Sequence, residues 1–172
     1  VGVQIQIPEA FPDPGAVAGQ RVVLTGASRG LGALLAHALS RAGASVALVA
    51  RTERDLKDLA DELAGPTLVL AADVTDADAN EAVADTVVAE WGGVDAWICN
   101  AGVSPVVGGP RQTDPAVWRR VLEVNVTGAF LGARAASRVL GAGGRIVFTG
   151  SVLGERPRQG LAAHSASKAA RT

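Results

Sequence analysis

The sequence predicts an α/β fold built on a doubly wound parallel sheet. Five short apolar segments alternate along the chain with segments of helical periodicity. The apolar segments are continuous rather than alternating, which is typical of strands covered by helices on both faces. A glycine-rich turn follows the first strand, at the sheet edge where such folds bind ligands. The predicted strands are Arg21–Thr25, Ser45–Ala50, Thr67–Ala71, Val94–Cys99 and Arg145–Thr149.

Helices between these strands are marked by their capping and terminating residues. Gly65-Pro66 ends the second helix, and Asp114 followed by Pro115 forms an N-cap and first turn. The predicted helices run over Gly30–Gly43, from Thr52 to about Ala64, from about Asp76 to Trp91, after Asp114-Pro115 to about Leu140 with a break near Asn125, and from about Ala162.

Composition limits the class of protein. The chain has 172 residues and a net charge of −1, with 48% hydrophobic and 19% charged residues, which is typical of one globular domain. We expect no nucleic-acid partner, which would need a basic patch, and no membrane span. Two histidines and one cysteine predict neither a metal cluster nor an internal disulfide, and we expect a cytoplasmic location.

The domain organisation follows from the position of the first strand. Residues 1–19 contain Pro8, Pro12 and Pro14, so we interpret them as an N-terminal arm. Residues 20–172 form the predicted dinucleotide-binding domain, a three-layer αβα arrangement of Rossmann type.

The glycine-rich turn reads T-G-A-S-R-G-L-G over Thr25–Gly32 and joins the first strand to the first helix. Glycine lets the backbone turn sharply and approach a phosphate without a Cβ between them. The helix N-terminus adds N–H donors and the positive end of a dipole. The turn therefore predicts a pyrophosphate site, although the same glycines would also serve a turn that only packs strand on helix.

The residues after the second strand favour NADP over NAD. A carboxylate here would bind the ribose diol of NAD, but the sequence is Val49-Ala50-Arg51-Thr52. Arg51 and Arg29 instead offer two guanidinium groups to a 2′-phosphate. The alternative is that both are ordinary surface arginines.

From Gln20 to Lys168 the chain resembles the short-chain dehydrogenase/reductase superfamily. The resemblance rests on the ordered motifs T-G-A-S-R-G-L-G, Asp73-Val74, Asn100-Ala101-Gly102, V-N-V-T-G around Asn125, T-G-S ending at Ser151, and His164-Ser165-Ala166-Ser167-Lys168. Together with Arg51, the residues expected to bind the cofactor are Gly26, Ser28, Arg29, Gly30, Leu31, Gly32, Asp73, Val74, Asn100, Ala101, Gly102 and Lys168.

The resemblance also implies catalytic roles. It implies that Asn125 positions a water, Ser151 holds the substrate carbonyl, and Lys168 holds the nicotinamide ribose. His164 occupies the position of the family's proton-transferring tyrosine, and the chain contains no tyrosine. The implied function is NADP-dependent interconversion of a ketone and a secondary alcohol, on a small-molecule substrate. A non-catalytic NADP-binding protein, a sensor or an oligomer partner, is the alternative.

Histidine is a poor replacement for tyrosine as an acid. Its reference pKa is about 6.5 against roughly 10 for a phenol, and a nearby ammonium disfavours the imidazolium. Three interpretations stay open for His164. It acts as an altered acid/base, it impairs turnover, or it marks a member that binds nucleotide for another purpose.

The resemblance finally implies a homodimer or homotetramer and a longer chain. Helices after the fourth and fifth strands form the family's dimer faces, and we expect Val121, Val124, Ala129 and Ala136 to contribute here. Thr172 follows Lys168 closely, inside a predicted helix. We therefore expect the sequence to be a fragment that lacks the C-terminal strands.

Overall fold

The sheet has five strands, all parallel, in a computed structural model that describes residues 15–105, 108–109 and 111–171. Residues 1–14 of the predicted arm lie outside the described residues, and residues 15–19 form turns. The strands are β1 (Arg21–Thr25), β2 (Ser45–Ala50), β3 (Thr67–Ala71), β4 (Val94–Cys99) and β5 (Leu140–Phe148). The first four have the predicted bounds.

Helices connect the strands as predicted for a doubly wound fold. A π-helical turn at Glu123–Thr127 separates α4 from α5, at the predicted break near Asn125. The helices are α1 (Leu31–Arg41), α2 (Glu53–Ala60), α3 (Ala77–Trp91), α4 (Pro115–Leu122), α5 (Gly128–Val139), α6 (Val152–Glu155) and α7 (Ala162–Ala169).

The strand order β3-β2-β1-β4-β5 sets the position of the ligand crevice. The chain runs outward from β1 through β2 to β3, then crosses to the other side of β1 for β4. A crevice forms outside the carboxyl ends of the strands where the winding direction reverses, here between β1 and β4.

Alternate residues of the central strands pack into two cores, one on each face of the sheet. On one face, Val23 and Trp97, both 0% exposed, pack with buried residues of α3 and α5. On the other face, Val22 and Leu24 pack with α1 and with Leu56 of α2. Burial on both faces explains why these strands are continuously apolar.

Arg21 and Asp95 join β1 to β4 at the amino ends of the strands. Asp95 accepts hydrogen bonds from the Arg21 backbone N–H at 2.8 Å, from Nε at 2.8 Å and from Nη2 at 2.7 Å. These bonds, above all those of the side chain, lower the pKa of Asp95 to about 2. The pair therefore lies at the opposite ends of these strands from the crevice.

The predicted start of the fifth strand is wrong. β5 begins at Leu140, which pairs with Val94, whereas Arg145 pairs with Ala96. Residues 141–144 form an irregularity opposite a single residue of β4, and Gly143 has a φ of +84°. This glycine-rich sequence contains no apolar run, so the pattern did not indicate a strand there.

One helix prediction needs correction, and one further helix was not predicted. α2 ends at Ala60 instead of about Ala64, because Glu62 and Leu63 donate to carbonyls three residues back in a tighter turn. The short helix α6 follows Ser151 directly and was not predicted. Its four residues are too few to show a helical period.

The four apolar residues expected on a dimer face lie in the core instead. Their exposure ranges from 0% to 7%, because the helices turn this side toward the sheet and the loops; they are Val121, Val124, Ala129 and Ala136. The large apolar side chains that α4 and α5 expose are Trp118 and Phe130. Among the described residues, no helix is both long and apolar enough to span a membrane.

Candidate active site

A cleft of about 420 Å³ opens at the carboxyl ends of the strands. It is continuous from the end of β3 past the glycine-rich turn to α7. Its lining residues are Gly26, Ser28, Arg29, Leu31, Gly32, Ala50, Arg51, Thr52, Asp55, Ala72, Asp73, Val74, Asn100, Ala101, Gly102, Val103, Ser104, Arg120, Val124, Thr149, His164 and Lys168.

The glycine-rich turn closes tightly on itself. A Cβ on Gly32 would lie 2.0 Å from the Gly26 carbonyl oxygen, and one on Gly26 would lie 2.7 Å from the Cα of Ala101. Gly26 and Gly30 also have positive φ angles, +67° and +57°. Glycine is therefore required to bring the N-terminus of α1 against the cleft.

The first turn of α1 is suited to an anion. Gly30 precedes it, no side chain in the described part of the chain caps it, and it carries no acidic residue. The first N–H groups of a helix lack intrahelical partners and lie at the positive end of its dipole. This uncapped turn, held at the wall of the cleft, fits a pyrophosphate.

Asn100 connects three strands at the floor of the cleft. Its Nδ2 donates to the carbonyls of Thr25 at 3.0 Å and Gly26 at 3.3 Å, and its Oδ1 accepts from the hydroxyl of Thr149 at 3.2 Å. Its backbone N–H, like that of Ala101, donates to Thr25 Oγ1. Asn100 thus fixes the glycine-rich turn relative to β4 and the end of β5.

One end of the cleft carries the two arginines predicted for the 2′-phosphate. Arg29 and Arg51 both line the cleft and are both exposed. Thr52 was predicted to cap α2, but in the part of the chain that the structure describes its side chain makes no capping hydrogen bond, and it lines the cleft. Asp55, in the first turn of α2, also lines the cleft, beyond the residues directly after β2 on which the NADP prediction rests.

Asp73 and Val74 lie at the end of β3, in the wall of the cleft. Asp73 Oδ1 accepts from the backbone N–H of Thr75 at 3.0 Å and from its hydroxyl at 2.8 Å. Oδ2 accepts from Arg120 Nη2 at 3.4 Å. Burial opposes the charged form, but these hydrogen bonds and the Arg120 charge outweigh it, so the pKa of Asp73 is lowered.

His164 and Lys168 lie on α7 at the other end of the cleft. Lys168 is 6% exposed and its Nζ donates to the Thr149 carbonyl at 2.6 Å. Burial, and secondarily the charge of Arg171, lowers the pKa of Lys168 to about 8. His164 Nδ1 is buried and has no hydrogen-bond partner among the described residues.

Two predicted catalytic residues are not part of the cleft wall. Asn125 is 0% exposed: its Oδ1 accepts from the Val103 N–H at 2.8 Å and its Nδ2 donates to the Val103 carbonyl and to Ser167 Oγ. Ser151 Oγ accepts from the Leu153 N–H at 3.2 Å and caps α6. That bond uses the oxygen of Ser151 and leaves its O–H proton to donate elsewhere.

Comparison with known proteins identifies the family. The model of the short chain dehydrogenase family matches residues 20–172. The chain belongs to this family. Short-chain dehydrogenases are oxidoreductases with a nucleotide-binding fold, in agreement with the five-stranded sheet and its cleft.

Curated short-chain dehydrogenases are similar over most of this chain. A cis-4-hydroxycyclohexanecarboxylate dehydrogenase of Sinomonas cyclohexanicum is 35% identical over 86% of the chain. The 3-oxoacyl-[acyl-carrier-protein] reductase of Salmonella typhimurium is 34% identical over 88% of it. The chain spans 61% and 62% of the lengths of these two relatives.

Solved short-chain dehydrogenases have the same fold. A crystal structure from Mycobacterium marinum matches with a TM-score of 0.85 and 37% identity, over 90% of this chain and 66% of the other. A structure from Burkholderia cenocepacia, in complex with NADP, matches with a TM-score of 0.81 and 34% identity, over 90% and 65%.

Proposed function

We propose that the protein is an NADP-dependent oxidoreductase that interconverts a ketone and a secondary alcohol, with turnover reduced by His164. The continuous cleft is the observation that carries this proposal, because it joins the uncapped glycine-rich turn to His164 and Lys168. The relatives named above are a hydroxyacid dehydrogenase and an oxoacyl reductase, which supports hydroxyl and oxo groups as the reacting functions.

The proposed cofactor contacts follow the cleft from end to end. Arg29 and Arg51 would bind the 2′-phosphate, the first turn of α1 the pyrophosphate, and Asp73 the adenine. Asn100-Ala101-Gly102 forms the floor. The NADP complex of the Burkholderia cenocepacia relative supports this cofactor. Lys168 would donate to the nicotinamide ribose from its position beside Thr149.

The proposed chemistry divides between the cofactor and three side chains. Reduced nicotinamide, when bound, supplies a hydride to a carbonyl carbon. The O–H of Ser151 would donate to the substrate oxygen and stabilise its developing charge. Asn125, whose side chain holds Val103 and α7 in place, would position a water for proton relay. His164 would have to deliver the proton in place of a tyrosine, from a ring that reaches less far than a phenol.

The alternative function is NADP binding without turnover, and His164 itself favours it. Its Nδ1 is buried and has no hydrogen-bond partner among the described residues, so no hydrogen bond of the described structure orients the ring through Nδ1 for proton transfer. An exposed Phe130 on α5 supports association with another subunit for either function.

One experiment separates the two functions. NADPH is titrated by its fluorescence, and a panel of ketones is then added while oxidation is followed by absorbance. His164→Tyr should increase carbonyl reduction by a large factor, on the order of 100-fold, since a positioned acid contributes that much or more. His37→Tyr is the matched control, because His37 lies on α1 beside Glu62 and outside the cleft. Binding without turnover in wild type and in His164→Tyr would favour the non-catalytic function.

A further inference from the structure

Arg120 lies in the wall of the cleft although no motif of the sequence indicates it. It belongs to α4, which follows β4, and its Nη2 lies 3.4 Å from Oδ2 of Asp73 at the end of β3. Val124, in the π-helical turn that follows α4, also lines the cleft. Arg120, Val124 and Asp73 therefore surround the same end of the cleft.

The ion pair alone does not explain why an arginine is placed there. The two side chains are 45% and 36% exposed, and ion pairs exposed to this degree contribute little to stability. Asp73 is already held through Oδ1 by the N–H and the hydroxyl of Thr75. Oδ2 receives only the long bond from Arg120 in the described structure, so it has capacity for another donor.

The chemistry of the guanidinium indicates a ligand. It is planar and weakly hydrated, and it stacks on aromatic rings and on bases. Asp73 partly balances its charge and restricts its position. An amino-purine has the complementary features, a flat π-face and an exocyclic N–H that a carboxylate oxygen can accept.

We propose that Arg120 is a further residue of the adenine subsite, where its guanidinium lies against the purine ring while it remains paired with Asp73. Adenine would donate its amino group to Oδ2 of Asp73 and pack between Arg120 and the apolar wall at Val74 and Val124. This assignment rests on the proposed function, because it places a dinucleotide in the cleft. It predicts that Arg120 contributes to affinity through ring contact more than through charge.

The test compares Arg120→Ala and Arg120→Lys with Arg119→Ala. Arg119→Ala is the matched control, because it removes the same charge from the same helix. Arg119 is exposed like Arg120 but does not line the cleft. Binding of NADPH and of 2′,5′-ADP is measured by fluorescence and calorimetry, and the melting temperature is measured without ligand. We expect both Arg120 variants to bind both ligands about 3- to 10-fold more weakly, with Arg119→Ala and the melting temperatures unchanged.

Each other outcome overturns a defined part of the proposal. Recovery of affinity in Arg120→Lys would show a phosphate contact through charge, and a lower melting temperature in both variants would show a structural role. Equal binding by wild type and Arg120→Ala would remove Arg120 from the site while leaving the dinucleotide site in place. Failure of the wild type to bind either ligand would overturn the proposed function, and the Arg120 assignment with it.

Discussion

Asn125 donates from its side-chain amide to Ser167 Oγ at 2.9 Å, and Ser167 in turn donates to the carbonyl of His164 at 2.7 Å. The π-helical turn that carries Asn125 is thereby connected to the helix that carries His164 and Lys168. Asn125 and Ser167 are both 0% exposed. These two buried hydrogen bonds, together with those between Asn125 and Val103, position α7 relative to the loop at Val103.

Removal of the Ser167 hydroxyl tests this connection. Ser167→Ala leaves the His164 carbonyl without its side-chain donor and the Asn125 amide with one acceptor fewer, so we expect it to lower the free energy of unfolding by about 1–3 kcal/mol. Urea denaturation measures the change. Ser137→Ala is the control, since Ser137 donates to the carbonyl three residues earlier on an exposed helix face. An equal loss in both variants would contradict a special role for the buried hydroxyl.

Gly32 is the position in the glycine-rich turn least able to accept a side chain. A Cβ there would lie 2.0 Å from the Gly26 carbonyl and 2.9 Å from Asn100 Nδ2. We expect Gly32→Ala to lose about 3 kcal/mol or more of stability, and the folded fraction to lose NADPH binding. Gly141→Ala, where a Cβ meets nothing within 4 Å, should be nearly neutral by thermal melting. A stable Gly32→Ala with normal binding would be incompatible with the described turn.

In the proposed site, we expect Arg51 to determine cofactor preference. Arg51→Ala should weaken NADPH binding about 10-fold and leave NADH binding almost unchanged, because only NADPH carries the 2′-phosphate that a guanidinium binds. Fluorescence titration of both nucleotides gives the ratio. Arg54→Ala is the control, as Arg54 is exposed, lies 4.0 Å from Asp58 and does not line the cleft. An equal loss of affinity for NADPH and NADH would mean that Arg51 contacts a part of the cofactor that both nucleotides share.

Lys168 predicts a pH dependence of stability. Its pKa is about 8 in the folded protein and has an ordinary value of 10.5, so between these values the unfolded chain binds more protons. Wild type should therefore gain stability relative to Lys168→Met as the pH rises from 8 to 10.5, by about 2–3 kcal/mol. Urea denaturation at several pH values measures the difference. A difference that stays constant over this range would mean that the ammonium is well solvated.

Asp95 predicts a slope of the same sign in acid, because its folded pKa also lies below its ordinary value. Its folded pKa of about 2 lies below the ordinary 3.8, so its stabilisation is present above pH 3.8 and is lost as the pH falls toward 2. Asp95→Asn should lower the free energy of unfolding by about 1 kcal/mol at pH 7, because hydrogen bonds between partly exposed charged groups contribute modestly to stability. The cost should shrink below pH 4 in urea titrations. Asp58→Asn, in a weaker exposed pair, should change stability by less than about 0.5 kcal/mol.

The sequence predicted the strand layout well because apolar continuity and glycine-proline terminators act locally. It predicted β1–β4 with the observed bounds, whereas Leu140 of β5 depends on a non-local pairing with Val94 that no local pattern reports. Motifs predicted most of the cleft for the same reason. Arg120 was missed because it meets Asp73 through a contact between residues 47 positions apart, which no local motif reports.

The direction of side chains was the second feature that the sequence could not predict. Asn125 was predicted to position a water, and the sequence did not indicate that the π-helical turn directs its amide to Val103 and Ser167. One inserted residue in a helix rotates every following side chain, and helical periodicity does not predict which face results. The roles of Asn125, Ser151, His164 and Lys168 remain predictions.

The Arg21–Asp95 pair and the cleft lie at opposite ends of the same strands. Tolerance to mutation should therefore divide along the strand axis. Substitutions at the amino ends would change how much protein accumulates in cells, whereas those at the carboxyl ends would change what each molecule binds. A selection that scores abundance and affinity separately would reveal this division, and an engineer could strengthen one end without altering ligand preference at the other.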